Sequence, residues 1–291
     1  MSRPPLLPGR AHRGYLRRLR YAAPVLAIFV VVLLVVVLAG KQLGVLPKWA
    51  VVLAYLVPLV LYGVVLFTRA RRIARANLAA VQLLEAGDPV AAADRFAALY
   101  ATCRNTDPNG AIVGFNFAVA EFRLGAPARA IELLEGIERD RPKAELGGIY
   151  RQSSTQLALV HAFAGDVDAA RAWLAEGRRR AATDANGLVC SGLLATAEAA
   201  IEMRTGDAEA AARALRERWH EIETHVTVEF ARGVRALRAW VLESSGAPRV
   251  QVEHELEFVR EAQPGSLAYL GTAWPELRAF LVREGLVNAA R

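Results

Sequence analysis

The sequence predicts an all-α protein: two transmembrane helices followed by an α-solenoid of about five helix pairs. Three observations carry this reading. Two uncharged apolar runs of twenty residues each, 21–40 and 49–68, lie close together near the start. Five glycines, Gly87, Gly125, Gly165, Gly206 and Gly246, recur at intervals of 38, 40, 41 and 40 residues. Seven residues before each of them stands an alanine: Ala80, Ala118, Ala158, Ala199 and Ala239.

Residues 1–20 hold six arginines and no acid and read as a basic cytoplasmic N-terminus. A hydrocarbon core of about 30 Å at 1.5 Å per helical residue requires about twenty residues, so each run can cross a bilayer and residues 21–68 form a hairpin. Each run holds about a dozen Val, Leu, Ile or Phe residues, worth about −0.3 to −0.6 kcal/mol apiece on insertion. Pro24 lies near one end of the first run and Pro58 near the middle of the second, where a membrane helix bends more readily than it breaks. A buried core pair is the competing reading, but soluble core helices seldom run this far without a charge. A cleaved signal peptide also competes, because Arg17, Arg18 and Arg20 precede the first run and Leu38-Ala39-Gly40 permit cleavage. Against it, the run is longer than a usual signal core and a second follows at once.

Charge gives the orientation. Six basic residues precede the first run, only Lys41 and Lys48 lie between the two, and Arg69, Arg71, Arg72 and Arg75 follow the second. Short loops rich in Lys and Arg stay inside, which places both termini in the cytoplasm and residues 41–48 outside, as in a bacterial-type inner membrane. Tyr21 and Trp49 sit at run ends, where amphipathic rings favour the interface. The flanking arginines also suit anionic lipid heads. The formal charge of +7 comes from these flanks: 12 of the 36 Lys and Arg residues and none of the 29 acids lie in 1–75, which leaves 24 bases against 29 acids beyond Arg75. Nucleic acid is therefore not an expected partner. Cys103 and Cys190 lack any metal-binding or Cys-x-x-Cys spacing and read as buried free thiols.

From 69 to 264 the chain is a stack of helix pairs. The residue after each glycine is Asp88, Ala126, Asp166, Asp207 or Ala247. A glycine can take the left-handed conformation that ends one helix, and an aspartate next to it can cap the following one. Five residues past the glycine come Ala92, Ala130, Ala170 and Ala211, then Gln251; nine past it come Phe96, Leu134, Leu174 and Leu215, then Glu255. Facing alanines let two helices approach closely while the larger residue fills the groove between them. Periods of this size indicate stacked supersecondary units. Residues 265–291, with Trp274-Pro275 and an amphipathic stretch 276–286, read as a terminal capping helix covering exposed core.

With its small residue in each first helix, Gly-Asp turn, early alanine in each second helix, and Pro142 and Pro264 near unit ends, the chain resembles the tetratricopeptide repeat family over roughly residues 73–264. It departs from that family in units some five residues longer, in a first-helix aromatic that is largely missing, and in the fifth unit's lost packing residues. The resemblance implies a groove, lined by first helices, that holds a partner's peptide or helix.

Catalytic chemistry is not visible. His220 and His225 stand five apart, whereas a zinc-protease pair needs four to share a helix face. His161 and His254 are lone histidines without a nucleophile pattern, and neither a phosphate loop nor a nucleophile elbow occurs. Glu132, Glu135 and Glu138 read as a solvated face, and Arg178, Arg179 and Arg180 as positive charge favoured at a helix end. No enzyme activity, metal or cofactor is expected. The predicted partner groove carries Phe115, Asn116, Val119 and Arg123, then Gln152, Gln156 and Phe163, then Arg204 and Trp240. The expected function is a membrane-anchored scaffold binding a protein at the cytoplasmic face; the alternative is an accessory subunit whose spans assemble into a larger membrane complex.

Overall fold

The computed structural model describes residues 48–288, apart from 104–108, 141–145, 147–148, 183–187, 226–227 and 263–264, together with five positions of the first apolar run. The basic segment 1–20, loop residues 41–47, most of 21–40, and Pro142 and Pro264 lie outside the described residues. Within them there are twelve α-helices and no strand. These are α1 (Lys48–Glu85), α2 (Pro89–Cys103), α3 (Gly110–Arg123), α4 (Pro127–Asp140), α5 (Ile149–Ala164), α6 (Val167–Ala181), α7 (Leu188–Thr205), α8 (Ala208–Glu217), α9 (Trp219–His225), α10 (Val228–Ser244), α11 (Arg249–Val259) and α12 (Pro275–Arg283). A 3₁₀ turn, Ala268–Gly271, precedes α12.

Each periodic glycine sits at a helix end with φ between +75° and +92°. Around it the chain makes the same two hydrogen bonds every time. The glycine N–H donates to the carbonyl three residues back, and the next N–H donates to the carbonyl five back, as from Asp166 to His161 at 3.0 Å and from Ala247 to Leu242 at 2.9 Å. This is the Schellman closure, which satisfies carbonyls that a helix end leaves open. Asp88, Asp166 and Asp207 then accept from the backbone N–H three residues on, at 2.9, 3.1 and 2.8 Å, and start the following helix. Units with Ala126 or Ala247 use Pro127 or Pro248 at the helix start instead. The motif occurs a sixth time at Gly285, which ends α12 with φ +70°.

Consecutive helices pair as α1 with α2, α3 with α4, α5 with α6, α7 with α8, and α10 with α11. First helices also touch one another in series, α1 to α3, α3 to α5, α5 to α7 and α7 to α10, while each second helix packs on the next first helix. The alanines seven before and the four alanines five after the glycines are all fully buried, with Phe96, Leu134 and Leu215 beside them. The packing is thus repeat-like, and one continuous core follows the stack.

The fifth unit solves its missing packing residue differently. Glu255 occupies the position of the Phe or Leu and is 3 % exposed. Arg235 and Arg238 of α10 reach its carboxylate at 2.8 and 3.2 Å, and both guanidiniums lie over the Trp219 ring. A paired carboxylate can occupy a core position that an unpaired one could not.

The second apolar run does not stop at the repeat boundary. Residues 49–68 and the first helix of the first unit are one uninterrupted helix of 38 residues, α1, about 57 Å long at 1.5 Å per residue. Its far half packs on α2 through Ile73, Ala80 and Leu84. Its near half leaves Leu56, Leu59, Val60, Leu61, Val64, Val65 and Phe67 exposed, Leu59 at 65 % and Val65 at 61 %. Among the described residues no helix is long and apolar enough to cross a membrane; side chains of this run are described from Leu56 onward, Pro58 excepted.

Candidate functional site

Where a partner groove was expected, the chain's own segment 267–274 packs against the first-helix layer. The segment is short of regular structure because Gly265, with φ +81°, breaks away from α11, and Pro275 starts α12. Between them its aromatic residues point into the layer. Tyr269 packs edge-on against Phe122 of α3, centroids 5.2 Å apart. Trp274 packs edge-on against Phe163 of α5 at 5.4 Å and Trp240 of α10 at 5.1 Å. Edge-to-face rings at this spacing contribute beyond the area they bury. The Arg204 guanidinium of α7 lies 3.9 Å from the Trp274 ring centre and donates to the Ala273 carbonyl at 2.7 Å. Four consecutive first helices therefore hold one segment.

Two glycines make room for it. A Cβ on Gly125 would fall 2.5 Å from Thr272 Oγ1, and one on Gly233 would collide with the Tyr269 hydroxyl. Burial pushes the Arg204 guanidinium below its ordinary value, while Glu276 opposes the shift. Tyr269, Leu270 and Trp274 are all buried, and α12 continues past them to pack on α10 through the same end of the stack.

Of the residues expected to line a partner groove, Phe163, Arg204 and Trp240 converge on Trp274. The others do not join them. Arg123 donates to the Leu84 carbonyl at 3.4 Å, and Arg204 donates to the Ala162 and Phe163 carbonyls at 3.0 and 2.6 Å. Each arginine stands two residues before its own turn glycine and caps the first helix of the preceding unit, where a cation meets the negative helix end. Asn116 donates to Asn77 of α1 at 3.1 Å. Phe115 and Val119 are half-buried against the core, Gln156 is buried, and Gln152 is half-buried. Most of this stripe binds neighbouring repeats.

Glu138, expected on a solvated face, and Arg180, expected as helix-end charge, are drawn inward. Arg180 is 5 % exposed: it grips Glu138 at 2.8 and 3.0 Å and Glu176 at 2.6 Å, and lies over Tyr150. Arg179 and Arg180 hold the Glu176 carboxyl down to about 2. Arg178 pairs with Glu198 at 2.6 Å. That pair borders a cleft of about 550 Å³ lined by α6, α7 and α8, where Arg213 and Arg218 alternate with Glu202 and Glu217. Glu132 and Glu135 stay half-exposed or more, so only Glu138 leaves the expected solvated face.

Buried His161 has Glu135 at 3.7 Å and Asp166 at 3.6 Å. His220 and His254 are exposed. Among the described residues no cluster of three or more His, Cys, Asp or Glu could hold a metal. Cys103 is buried and forms no disulfide; the Cys190 side chain lies outside the described residues.

The segment 267–274 had no periodic signal. Its legible trace was compositional: Tyr269, Trp274 and Gly271 in a stretch between Gly265 and Pro275. Comparison with protein-family models, with curated proteins and with solved structures finds no match.

Proposed function

We propose that the chain is a membrane-anchored, tetratricopeptide-like scaffold that holds a protein partner at the cytoplasmic face of the membrane. One observation carries the reading: α1 runs without a break from an apolar stretch, whose described apolar side chains from Leu56 to Phe67 are largely exposed among the described residues, into the first helix of a repeat stack. An exposed apolar surface of this extent on a helix calls for lipid or another protein around it. A continuous helix transmits that position rigidly to the repeats. The pairing and serial contact of the helices support the family likeness, and the basic flanks of 1–75 support both termini facing inward.

Reporter fusions test it. A cytoplasm-active reporter after Arg291 should give signal, an export-active reporter near Gly44 should give signal, and the chain should stay with membranes after carbonate washing. Reversed reporters, or release by the wash, would overturn the anchor.

The accessory-subunit reading draws on a different observation, the segment seated on the first helices, which leaves the exposed apolar side chains of α1 as an uncovered surface among the described residues. Co-purification in stable stoichiometry with integral membrane proteins through residues 21–68 alone would favour it.

A further inference from the structure

We propose that segment 267–274 is an exchangeable plug, and that the groove beneath it fits a partner segment bearing two aromatic side chains spaced like Tyr269 and Trp274. This deepens the scaffold reading and rests on it for the partner's role. The geometry of the seat is that of a ligand site. Phe122 and Gly233 receive the tyrosine; Phe163, Trp240 and the Arg204 guanidinium enclose the tryptophan from three helices. Side chains supply most of the attachment. Arg204 to the Ala273 carbonyl is a polar bond from the first helices to the segment's backbone, whereas N–H groups of the segment bond within it, at 3.1 Å from Leu270 to Leu267 and at 3.3–3.4 Å from Trp274 and Thr272. A segment whose ring contacts and Ala273 carbonyl are met by side chains of the first helices can be replaced by a chain offering the same groups.

The fit is also incomplete. Beside Tyr269 and Leu270 a gap of about 20 Å³ remains among Phe122, Phe163, Val234 and Leu237, room for no more than a water. The segment is not part of the repeat: it adds no helix pair, yet it bridges four first helices. While it is seated, a competitor's apparent affinity falls by the fraction of chains in which the groove is open.

The probe is a fluorescent peptide with the sequence of residues 265–276, Gly-Ser-Leu-Ala-Tyr-Leu-Gly-Thr-Ala-Trp-Pro-Glu, titrated onto the full chain in detergent or nanodiscs. Tyr269→Ala with Trp274→Ala empties the groove, and this variant should bind the peptide at least about tenfold more tightly than the native chain, the factor expected if nine chains in ten are closed. Adding Gly233→Ala, whose methyl takes the tyrosine hydroxyl's space, should abolish the gain. Absence of binding to a helical double variant, equal binding to native and double-variant chains, or a gain that survives in the triple variant would overturn the proposal. If the double variant fails to fold, hydrogen exchange on the native chain decides: the amides of Leu270, Thr272 and Trp274 should exchange well ahead of those of α5, and equal protection overturns it. Dissociation of a dimer by the peptide would assign the groove to a second copy's segment, again overturning the partner reading. Failure on any of these leaves the reporter results untouched.

Discussion

Glu255 stands where the other units have Phe or Leu, and two guanidiniums justify it there. Removing the carboxylate as Glu255→Ala strands Arg238, whose burial already works against its charge. Breaking a buried pair from one side costs about 3–5 kcal/mol, so chemical denaturation should show a loss of that order; less than about 1 kcal/mol would mean the pair is hydrated. The sequence marks Glu255 as a departure from the pattern but does not reveal its partners, because Arg235 and Arg238 become its neighbours only once α10 and α11 pack. Glu176 gives the pH counterpart. Its folded pKa, about 2 against an ordinary 4.5, is depressed by the Arg179 hydrogen bond first and by Arg180. A depressed carboxyl stabilises the fold above its unfolded value, and that contribution disappears as pH falls from about 4.5 towards 2. Glu176→Gln should therefore flatten part of the acid limb of the stability curve while leaving pH 7 to 9 parallel to native; an unchanged acid limb would show the pair to be solvent-screened.

At the scale of elements, the turns are where sequence and structure agree most closely. A Schellman closure needs a positive φ at one residue and fixed partners three and five back, so its requirements are local and a repeated Gly-Asp or Gly-Ala exposes them. Gly206 isolates the backbone term: its φ is +87° and an added Cβ would meet nothing within 4 Å. Gly206→Ala should cost about 1–2 kcal/mol from left-handed strain alone, with Gly206→Asn recovering much of it; equal stability of the alanine variant would mean the α7–α8 turn relaxes into another conformation. Contacts between units were not legible in the same way. Arg123 and Arg204 read as groove donors because their targets, the carbonyls of Leu84, Ala162 and Phe163, lie some forty residues earlier and become adjacent only in the stack. The pairing of Arg180 with Glu138 is illegible for the same reason, the two being 42 residues apart. The sixth glycine turn, at Gly285, escaped because Arg278 stands where the other units carry alanine.

For the whole molecule, the consequential feature is that α1 belongs to two regions at once. Apolar composition ends at Thr68 and marks a boundary there, but helix propensity and hydrogen bonding do not change across residues 68–69, so the boundary exists in polarity and not in the backbone. The plug was illegible for the opposite reason: residues 267–274 carry no helical period, and their partners at Phe122, Phe163 and Arg204 lie from about 70 to 150 residues away in the chain. Sharing α1 sets how the repeat domain can be separated from the apolar runs. A fragment of residues 69–291 keeps the whole repeat half of α1, including buried Ile73; one of residues 76–291 begins past Ile73 and leaves the remaining helix end to fray against α2. Burying an isoleucine side chain contributes about 1.5–3 kcal/mol, and the shorter first helix loses further tertiary support. Both fragments should remain helical without detergent, with 69–291 the more stable by about 2–3 kcal/mol in urea denaturation. Equal stability would show that the first unit does not depend on residues 69–75, and aggregation of both, with the full chain well folded in nanodiscs, would show that the repeats require the apolar half of α1 for their packing.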